Sequence, residues 1–206
     1  YLTALPKHVI ADTLVDSLRG LGVDTSHIVR RDGGRLGIYF LETGANQRPS
    51  SVIYDRAHSA VAQAGPEEYD FDAALDGVHW VHVSGITPAI SENAFGATLA
   101  LVQKAKAAGA KVSCDLNYRK KLWNWRPGTD KKALAGECMQ QIVSSADVIV
   151  GNEEDASDVF GIAAEGTSVE SGRINHAAYE QVAGKLSERF DSVSHVAITL
   201  RESISA

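Results

Sequence analysis

The stretch KVSCDLNYRKKLW, residues 111–123, decides the fold because its character changes halfway along. It begins as a short run rich in apolar residues, which is typical of a strand. The five positions from Asp115 to Arg119 then hold a carboxylate, an amide, a phenol and a guanidinium. Such a cluster after a strand forms either a solvated turn or one wall of a ligand site.

Three more apolar runs of similar length accompany this one, and helical patterns separate each run from the next. The runs are HWVHVSG at 79–85, ADVIVGN at 146–152 and HVAITL at 195–200. The first helical pattern after each of the first three runs covers residues 91–108, 130–145 and 152–160, respectively. Strands that alternate with helices indicate a mostly parallel sheet covered by helices on both faces. The predicted fold is therefore a three-layer, Rossmann-like α/β body.

Residues 25–57 have a different texture. HIVRR, RLGIYFLETG and SVIYDR are short, rich in β-branched and aromatic residues, and separated by the turn-forming segments DGG and ANQRPS. We predict a small β-sheet lid here, inserted between the two parts of the body at 1–24 and 58–206. Within the body, residues 9–21 predict an amphipathic surface helix. Its apolar stripe contains Ile10, Leu14, Leu18 and Leu21.

Composition and charge limit the classes of protein. Of 206 residues, 44% are hydrophobic and 22% are charged, which is typical of a globular chain. The formal net charge is -6 and the 20 Lys and Arg are scattered, so we expect no nucleic-acid partner. No apolar run approaches the roughly 20 residues of a membrane span, and we expect no membrane partner. Cys114 and Cys138 have neither metal-ligand nor disulfide spacing, so we expect a reducing cytoplasm.

Small or polar residues follow the predicted strands at the point where each strand ends. The carboxyl ends of parallel strands lie at one edge of a sheet, where loops and helix N-termini converge and ligands bind. We therefore predict a ligand site along this edge. It contains Ser84, Gly85, residues 115–119, Gly151, Asn152 and residues 199–203.

Structural roles also explain several of these residues. Asn152, with acidic residues at the next three positions, has the pattern of a helix N-cap and first turn. Arg119 fits an ion pair with a neighbouring carboxylate. Trp123 and Trp125 favour packing over stacking on a ligand.

Several common active-site patterns are missing from the sequence. It contains no G-x-x-x-x-G-K-[ST] loop, no G-x-G-x-x-G after a strand and no G-x-S-x-G elbow. A P-loop NTPase, a dinucleotide site and an α/β-hydrolase are therefore not supported. His79 and His82 lie three apart in a strand and point to opposite faces, which excludes a simple metal pair.

Segments along nearly the whole chain resemble, in the same order, those of ribokinase-like (phosphofructokinase-B type) carbohydrate kinases. They are GLGVDTSHI at 20–28, IYDR at 53–56, VHVSGITPAIS at 81–91, CDLNYRKKLW at 114–123, ADVIVGNEED at 146–155 and AITLRES at 197–203. NYRKKLW and SGITPA are most similar to the 2-keto-3-deoxygluconate kinase branch. GVDT and the Asn-x-x-acid motif are shared across the superfamily.

The resemblance implies an α/β body with a β lid over a sugar pocket. In such kinases the γ-phosphoryl group of ATP is transferred to a sugar hydroxyl with the help of Mg²⁺. By position, the resemblance implies that Tyr39, Tyr54, Arg56 and Arg119 contact a sugar acid, and that Arg119 also stabilises charge during transfer. An exposed β face of the lid further suggests a homodimer.

The nucleotide and metal residues follow from the same resemblance. Asn117, Tyr118 and Arg119 are expected to border the nucleotide. A loop over residues 199–204 is expected to contribute Thr199, Arg201, Glu202 and Ser203. Asn152 and Asp155 are expected to reach the magnesium ion through water. Asp155 stands where the family usually has a glutamate, which shortens its reach.

The resemblance also predicts two segments that the 206 residues do not contain. These are a glycine-rich N-terminal substrate segment and a Gly-Ala-Gly-Asp helix start that supplies the catalytic base. With Tyr1 first and Met139 as the only methionine, we expect the sequence to be the central portion of a longer kinase. Without the base, we expect the 206 residues alone to be inactive.

The chemistry of the lid residues favours an acidic sugar. A guanidinium group forms two charge-assisted hydrogen bonds with a carboxylate, which a neutral sugar lacks. A 2-keto-3-deoxygluconate kinase is therefore the leading hypothesis. The alternatives are a fructokinase or ribokinase, a non-catalytic sugar-acid-binding module if the short chain is natural, and a Rossmann-like domain with an unrelated activity.

Overall fold

The computed structural model describes residues 1–163 and 176–199. The strands are β1 (Ala4–Pro6), β2 (Val29–Arg31), β3 (Ile38–Glu42), β4 (Ser51–Asp55), β5 (Trp80–Ser84), β6 (Lys111–Asp115), β7 (Val148–Gly151) and β8 (His195–Ile198). The helices are α1 (Val9–Gly20), α2 (Ala60–Gln63), α3 (Phe71–Leu75), α4 (Glu92–Ala107), α5 (Lys131–Val143), α6 (Glu153–Phe160) and α7 (His176–Arg189), and Pro66–Glu68 forms a 3₁₀ turn.

A four-stranded parallel sheet in the order β5-β6-β7-β8 forms the body. Val83 is paired with Cys114, Cys114 with Ile149, and Ile149 with Val196, so a row of apolar side chains crosses one face. Helices α4 to α7 bury this face. Their core residues include Val102, Leu134, Ile142 and Val182. The predicted alternation of strands and helices, and with it the α/β class, is confirmed.

The opposite face of the sheet is more polar and more open. Trp80 is 55% exposed, and His82 and His195 are also exposed. Ser113 on the adjacent strand β6 is hydrogen-bonded to the side chains of Trp80 and His82. Its Oγ atom lies 2.9 Å from Trp80 Nε1 and 2.8 Å from His82 Nδ1. Of the two helical layers predicted from the sequence, the described residues therefore show one.

Strands β3 and β4 form an antiparallel hairpin within the predicted lid segment. Tyr39 is paired with Tyr54, and their ring centroids are 6.4 Å apart. Strand β2, which also falls within 25–57, instead pairs in parallel with β1, a strand that the sequence did not predict. The hairpin therefore occupies residues 38–55, and the division of the chain into body and lid stays a prediction.

Helix α1 covers almost the whole predicted range, but it buries a different face. Ala11 and Val15 are buried in a small cluster with Leu5 and Ile28, whereas Ile10 is 67% exposed. Of the predicted stripe, Leu18 packs against this cluster. The predicted apolar stripe thus lies largely towards solvent.

Helix ends follow the local sequence signals. Ser91 Oγ accepts a hydrogen bond from the Ala94 amide of α4 at 3.0 Å, and Gly109 follows the helix with a φ of 80°. Asp130 Oδ1 accepts from the Ala133 amide of α5 at 3.0 Å. No helix within residues 1–163 and 176–199 is both long and apolar enough to cross a membrane.

Candidate active site

The carboxyl ends of the parallel strands are tied together by backbone hydrogen bonds. Gly85 N donates to Asp115 O, and Leu116 N donates to Val150 O, both at 2.8 Å. A Cβ atom on Gly85 would lie 2.1 Å from Leu116 O, so a side chain cannot be accommodated there without a shift. Glycine at this position lets the segment after β6 pass directly over the end of β5.

Asn117 is fixed at this edge by Ser84 and Asp115, which the sequence placed in the predicted ligand site without a specific role. Its side-chain amide donates to Ser84 Oγ at 2.8 Å, and its backbone N–H donates to Asp115 Oδ1 at 3.1 Å. Its φ of 37° lies in the left-handed region, which asparagine tolerates better than most residues. Ser84 and Asp115 are the paired last residues of adjacent strands, and that register brings both of them next to Asn117.

The chain next forms a turn over residues 119–122, which we call the cationic turn. Leu122 N donates to Arg119 O at 2.9 Å and closes the turn. Trp123 anchors the turn, because this residue is completely buried and its backbone N–H donates to Ala89 O at 3.1 Å. The packing role predicted for Trp123 is confirmed. Arg119, Lys120 and Lys121 are left exposed.

Trp125 also packs as predicted. Its indole N–H donates to Pro88 O at 3.1 Å, and its ring stacks on Phe95 with centroids 6.3 Å apart. Neither partner belongs to the strand-end edge. A stacking platform for a ligand is therefore not formed by this side chain.

The lid hairpin faces the cationic turn across a cavity of about 330 Å³, which we call the lid cavity. Alternate residues of β4 and the position after it point the same way along a strand, so one side of the hairpin faces the cavity. The lining residues are Val52, Tyr54, Arg56, Arg119, Lys120, Lys121 and Leu122. Three of the predicted sugar contacts, Tyr54, Arg56 and Arg119, are thus brought together.

Tyr39, the fourth predicted sugar contact, lies beside this group and not within it. It lines a second cavity of about 240 Å³ between the hairpin and the body. Arg56 lines both cavities and lies over the Tyr54 ring, with its Cζ atom 4.4 Å from the centroid. Arg56 is therefore the link between the two.

The lid cavity is strongly positive. Four of its seven lining residues are arginine or lysine, and none of the seven is acidic. No ion pair among the side chains that the structure describes involves any of these four cationic groups. Among these described side chains, Arg119 does not form the ion pair with a neighbouring carboxylate that the sequence left open as an alternative.

Asn152 and Asp155 form a reciprocal cap at the start of α6. Asn152 Oδ1 accepts from Asp155 N at 2.8 Å, and Asp155 Oδ2 accepts from Asn152 N at 3.3 Å. Asp155 Oδ1 also accepts from Tyr118 N at 2.9 Å. Burial raises the pKa of Asp155 although these backbone N–H groups act in the opposite direction. The N-cap interpretation of Asn152 is confirmed.

The hydrogen bonds of this cap involve the same side-chain oxygens that were predicted to contact the magnesium ion. Both Asp155 oxygens and the Asn152 oxygen already accept backbone hydrogen bonds. The described residues contain no group of three or more His, Cys, Asp or Glu side chains that could hold a metal. Each oxygen keeps a second lone pair, so these hydrogen bonds fix the two side chains in place, and a contact with Mg²⁺ through water stays a prediction.

The predicted nucleotide residues divide into three groups. Asn117, Arg119 and Thr199 lie in segments at the strand-end edge, and Thr199 N donates to Gly151 O at 2.8 Å. Tyr118 is 7% exposed and packs in the main core, so its side chain is not available to border a nucleotide as predicted. Burial accordingly raises the pKa of its phenol. Arg201, Glu202 and Ser203 lie outside the described residues.

A parallel α/β body whose strand ends face a β hairpin across a cationic cavity has the layout expected of a sugar kinase. Residues 1–200 match the pfkB family of carbohydrate kinases, and the chain belongs to this family. Proteins that are similar to the chain include kinases of 2-dehydro-3-deoxy sugar acids.

Two relatives and one solved structure illustrate the similarity. The 2-dehydro-3-deoxygalactonokinase of Haloferax volcanii is 36% identical over 160 residues, 78% of this chain and 48% of that protein. The 2-dehydro-3-deoxygluconokinase of Thermoproteus tenax is 31% identical over 150 residues, covering 72% and 43%. The crystal structure of Thermotoga maritima 2-dehydro-3-deoxygluconokinase matches with a TM-score of 0.87 and 42% identity, covering 99% and 57%. The chain spans about half the length of these proteins.

Proposed function

We propose that the whole protein containing this chain is an ATP-dependent kinase of 2-keto-3-deoxygluconate (2-dehydro-3-deoxygluconate). The observation that carries this proposal is the lid cavity, in which Tyr54, Arg56 and Arg119 meet without any acidic lining residue. An anion is the ligand that such a cavity complements. The named activities of the relatives from Thermoproteus tenax and Thermotoga maritima support the choice of sugar acid.

The substrate is held by charge at one end and by phenols along its length. Arg56 offers a planar fork of donors to the carboxylate, and its contact with the Tyr54 ring limits the directions in which the fork can point. The hydroxyl groups of Tyr54 and Tyr39 are suited to orient the hydroxylated carbons of the sugar. Tyr39 takes part through the adjoining cavity, which shares Arg56 with the lid cavity.

Phosphoryl transfer depends chiefly on positioning and on neutralising negative charge. We place ATP along the strand-end edge, beside Asn117 and Thr199, and keep Arg201, Glu202 and Ser203 as proposed nucleotide contacts from the family resemblance. Arg119 belongs to both the edge and the lid cavity, so it is placed to stabilise the transferring phosphoryl group. Mg²⁺ supplies further charge neutralisation when bound, and Asn152 and Asp155 are suited to contact it through water.

The outer face of the lid supports a homodimer as part of the proposal. Ile38, Phe40 and Ile53 lie on the side of the hairpin that faces away from the lid cavity and are 42%, 59% and 65% exposed. Apolar sheet faces of this kind favour pairing with a second copy. We further propose a cytoplasmic location, which fits the two free, buried cysteines.

A second substrate candidate is 2-dehydro-3-deoxygalactonate, which the named activity of the Haloferax volcanii relative supports. It carries the same carboxylate and keto group, so the cationic cavity suits both acids equally. A fructokinase or ribokinase is disfavoured because neutral sugars leave the four cationic groups without a partner. Initial rates of the whole protein with both acids, fructose and ribose separate these candidates.

The proposal predicts a large loss of substrate affinity for Arg56→Ala. The KM for 2-keto-3-deoxygluconate should rise about 10- to 150-fold, because a hydrogen bond to a charged group contributes about 1.5–3 kcal/mol. The KM for ATP should change little. A coupled assay of ADP release measures both constants.

Arg48→Ala is the matched control for this variant. Arg48 lies at the hairpin tip, pairs with Glu42, and does not line the lid cavity. It should leave the KM for the sugar acid within about twofold, since exposed ion pairs contribute little. An unchanged KM in Arg56→Ala, or a wild-type preference for fructose or ribose, would contradict the proposed function.

A further inference from the structure

Two lysines of the lid cavity have no part in the site as predicted. Lys120 and Lys121 follow Arg119 in the cationic turn and line the cavity with Arg56. Lys121 also approaches the lid itself, because its Nζ atom lies 5.9 Å from the centroid of the Tyr54 ring. The body of the molecule therefore extends a cation towards the same aromatic ring that Arg56 covers from the lid.

This arrangement places like charges around one ring. The Cζ atom of Arg56 is 4.4 Å from the Tyr54 centroid, and Lys121 is the second cation at the ring. Neither cation takes part in an ion pair with any carboxylate whose side chain the structure describes. Attraction to the ring offsets part of the repulsion, and a bound anion would remove the rest.

We infer that Lys121 is a specificity-determining residue that binds the negative charge of the substrate together with Arg56. The inference rests on the proposed function and adds a contact from the body to those from the lid. The ammonium group carries three donors on a flexible stem, so it can reach an anion that the rigid guanidinium fork already orients. A substrate without a carboxylate gains nothing from Lys121.

The test compares two substrates that differ only in the group at C1, which is charged in one and neutral in the other. The first is 2-keto-3-deoxygluconate, and the second is 3-deoxyfructose, which has a hydroxymethyl group in place of the carboxylate. In Lys121→Met of the whole protein, the ratio of kcat/KM for the acid to that for the neutral sugar should fall about five- to tenfold. The fall in this ratio should come from a higher KM for the acid. Lys121→Arg, which keeps the positive charge, should have a ratio close to that of the wild type.

Two further measurements separate binding from a structural effect. Lys7→Met removes a lysine that pairs with Asp32 at 2.9 Å and does not line the lid cavity, and it should keep the wild-type ratio. Added salt should raise the KM for the acid less steeply in Lys121→Met than in the wild type, since one fewer charge attracts the substrate.

The outcomes distinguish this inference from the proposal on which it rests. A wild-type ratio in Lys121→Met, with a lowered ratio in Arg56→Ala, would overturn the role of Lys121 and leave the sugar-acid kinase standing. An unchanged ratio in both variants would overturn both. A fall in the ratio for both variants, with Lys7→Met unchanged, is the expected result.

Discussion

A single buried carboxylate at the amino end of β7 shows how much the sheet depends on individual residues. Asp147 is 5% exposed and accepts hydrogen bonds from Lys106 Nζ at 2.8 Å, Lys111 Nζ at 2.9 Å and Val112 N at 2.9 Å. Burial alone would raise its pKa, but these hydrogen bonds outweigh burial and lower the pKa to about 2. The carboxylate therefore joins α4, β6 and β7 while it stays charged.

Asp147→Asn should lower the free energy of unfolding at pH 7 by roughly 2 kcal/mol, because the charge that the two lysines stabilise is lost. A carboxyl group with a lowered pKa contributes stability above its ordinary pKa of about 4 and loses it as the pH falls towards about 2. The difference between wild type and variant should therefore shrink below pH 4. Urea unfolding of both proteins across this range measures it.

Asp32→Asn serves as the control, since Asp32 forms only an exposed pair with Lys7. It should change the stability by less than about 1 kcal/mol at any of these pH values. A difference for Asp147→Asn that stays constant from pH 7 to pH 2.5 would show that the charge of Asp147 is not what stabilises the sheet.

Gly85 has an equally local role at the other end of the sheet. Gly85→Ala should destabilise the protein by about 1–3 kcal/mol, because the new Cβ would lie 2.1 Å from Leu116 O. It should also lower kcat, since Asn117 and the cationic turn follow that carbonyl along the chain. Thermal unfolding and the ADP-release assay measure the two effects.

Gly184→Ala provides the matched change in a helix. A Cβ at Gly184 of α7 meets no atom within 4 Å, so alanine should be neutral or stabilising by up to about 1 kcal/mol. Equal stability and activity in the two alanine variants would contradict the close approach described at the strand-end edge.

At the scale of elements, the sequence predicted those parts that carry their own local signals. The four strands of the parallel sheet are apolar runs with polar ends, and α4 begins at a serine cap. Strand β1 was missed because three residues give no periodicity, and its pairing with β2 depends on tertiary contacts. The buried face of α1 was misjudged because Ala11 and Val15 are less apolar than the exposed Ile10 and Leu14.

The residues of the candidate site likewise divide into those that were predicted from the sequence and those that were not. Tyr54, Arg56 and Arg119 were predicted through the family resemblance, and the hairpin and cationic turn bring them to one cavity. Lys121 was not singled out, because an exposed lysine in a turn has no distinguishing pattern in a sequence. Tyr118 was assigned to the nucleotide by its position in the family resemblance, but its side chain packs in the core. The direction of a side chain in the loop after a strand is set by tertiary packing, which the sequence pattern does not show.

At the scale of the whole molecule, the local charge of the lid cavity is opposite in sign to the net charge of the chain. The formal net charge is -6, yet four cationic side chains line the lid cavity. Attraction of an anion to this cavity is therefore local and acts within about 10 Å at ordinary ionic strength. Because the cations come from both the hairpin and the body, the proposed function predicts that the substrate charge binds at the junction of these two parts.

The most direct test of the central claim is a crystal structure of the whole protein with 2-keto-3-deoxygluconate bound. The account predicts that the substrate carboxylate lies in the lid cavity, within hydrogen-bonding distance, about 3 Å, of the Arg56 guanidinium. The keto and hydroxyl groups should extend towards Tyr54 and Arg119. A carboxylate bound elsewhere, with the lid cavity filled only by solvent, would contradict the account.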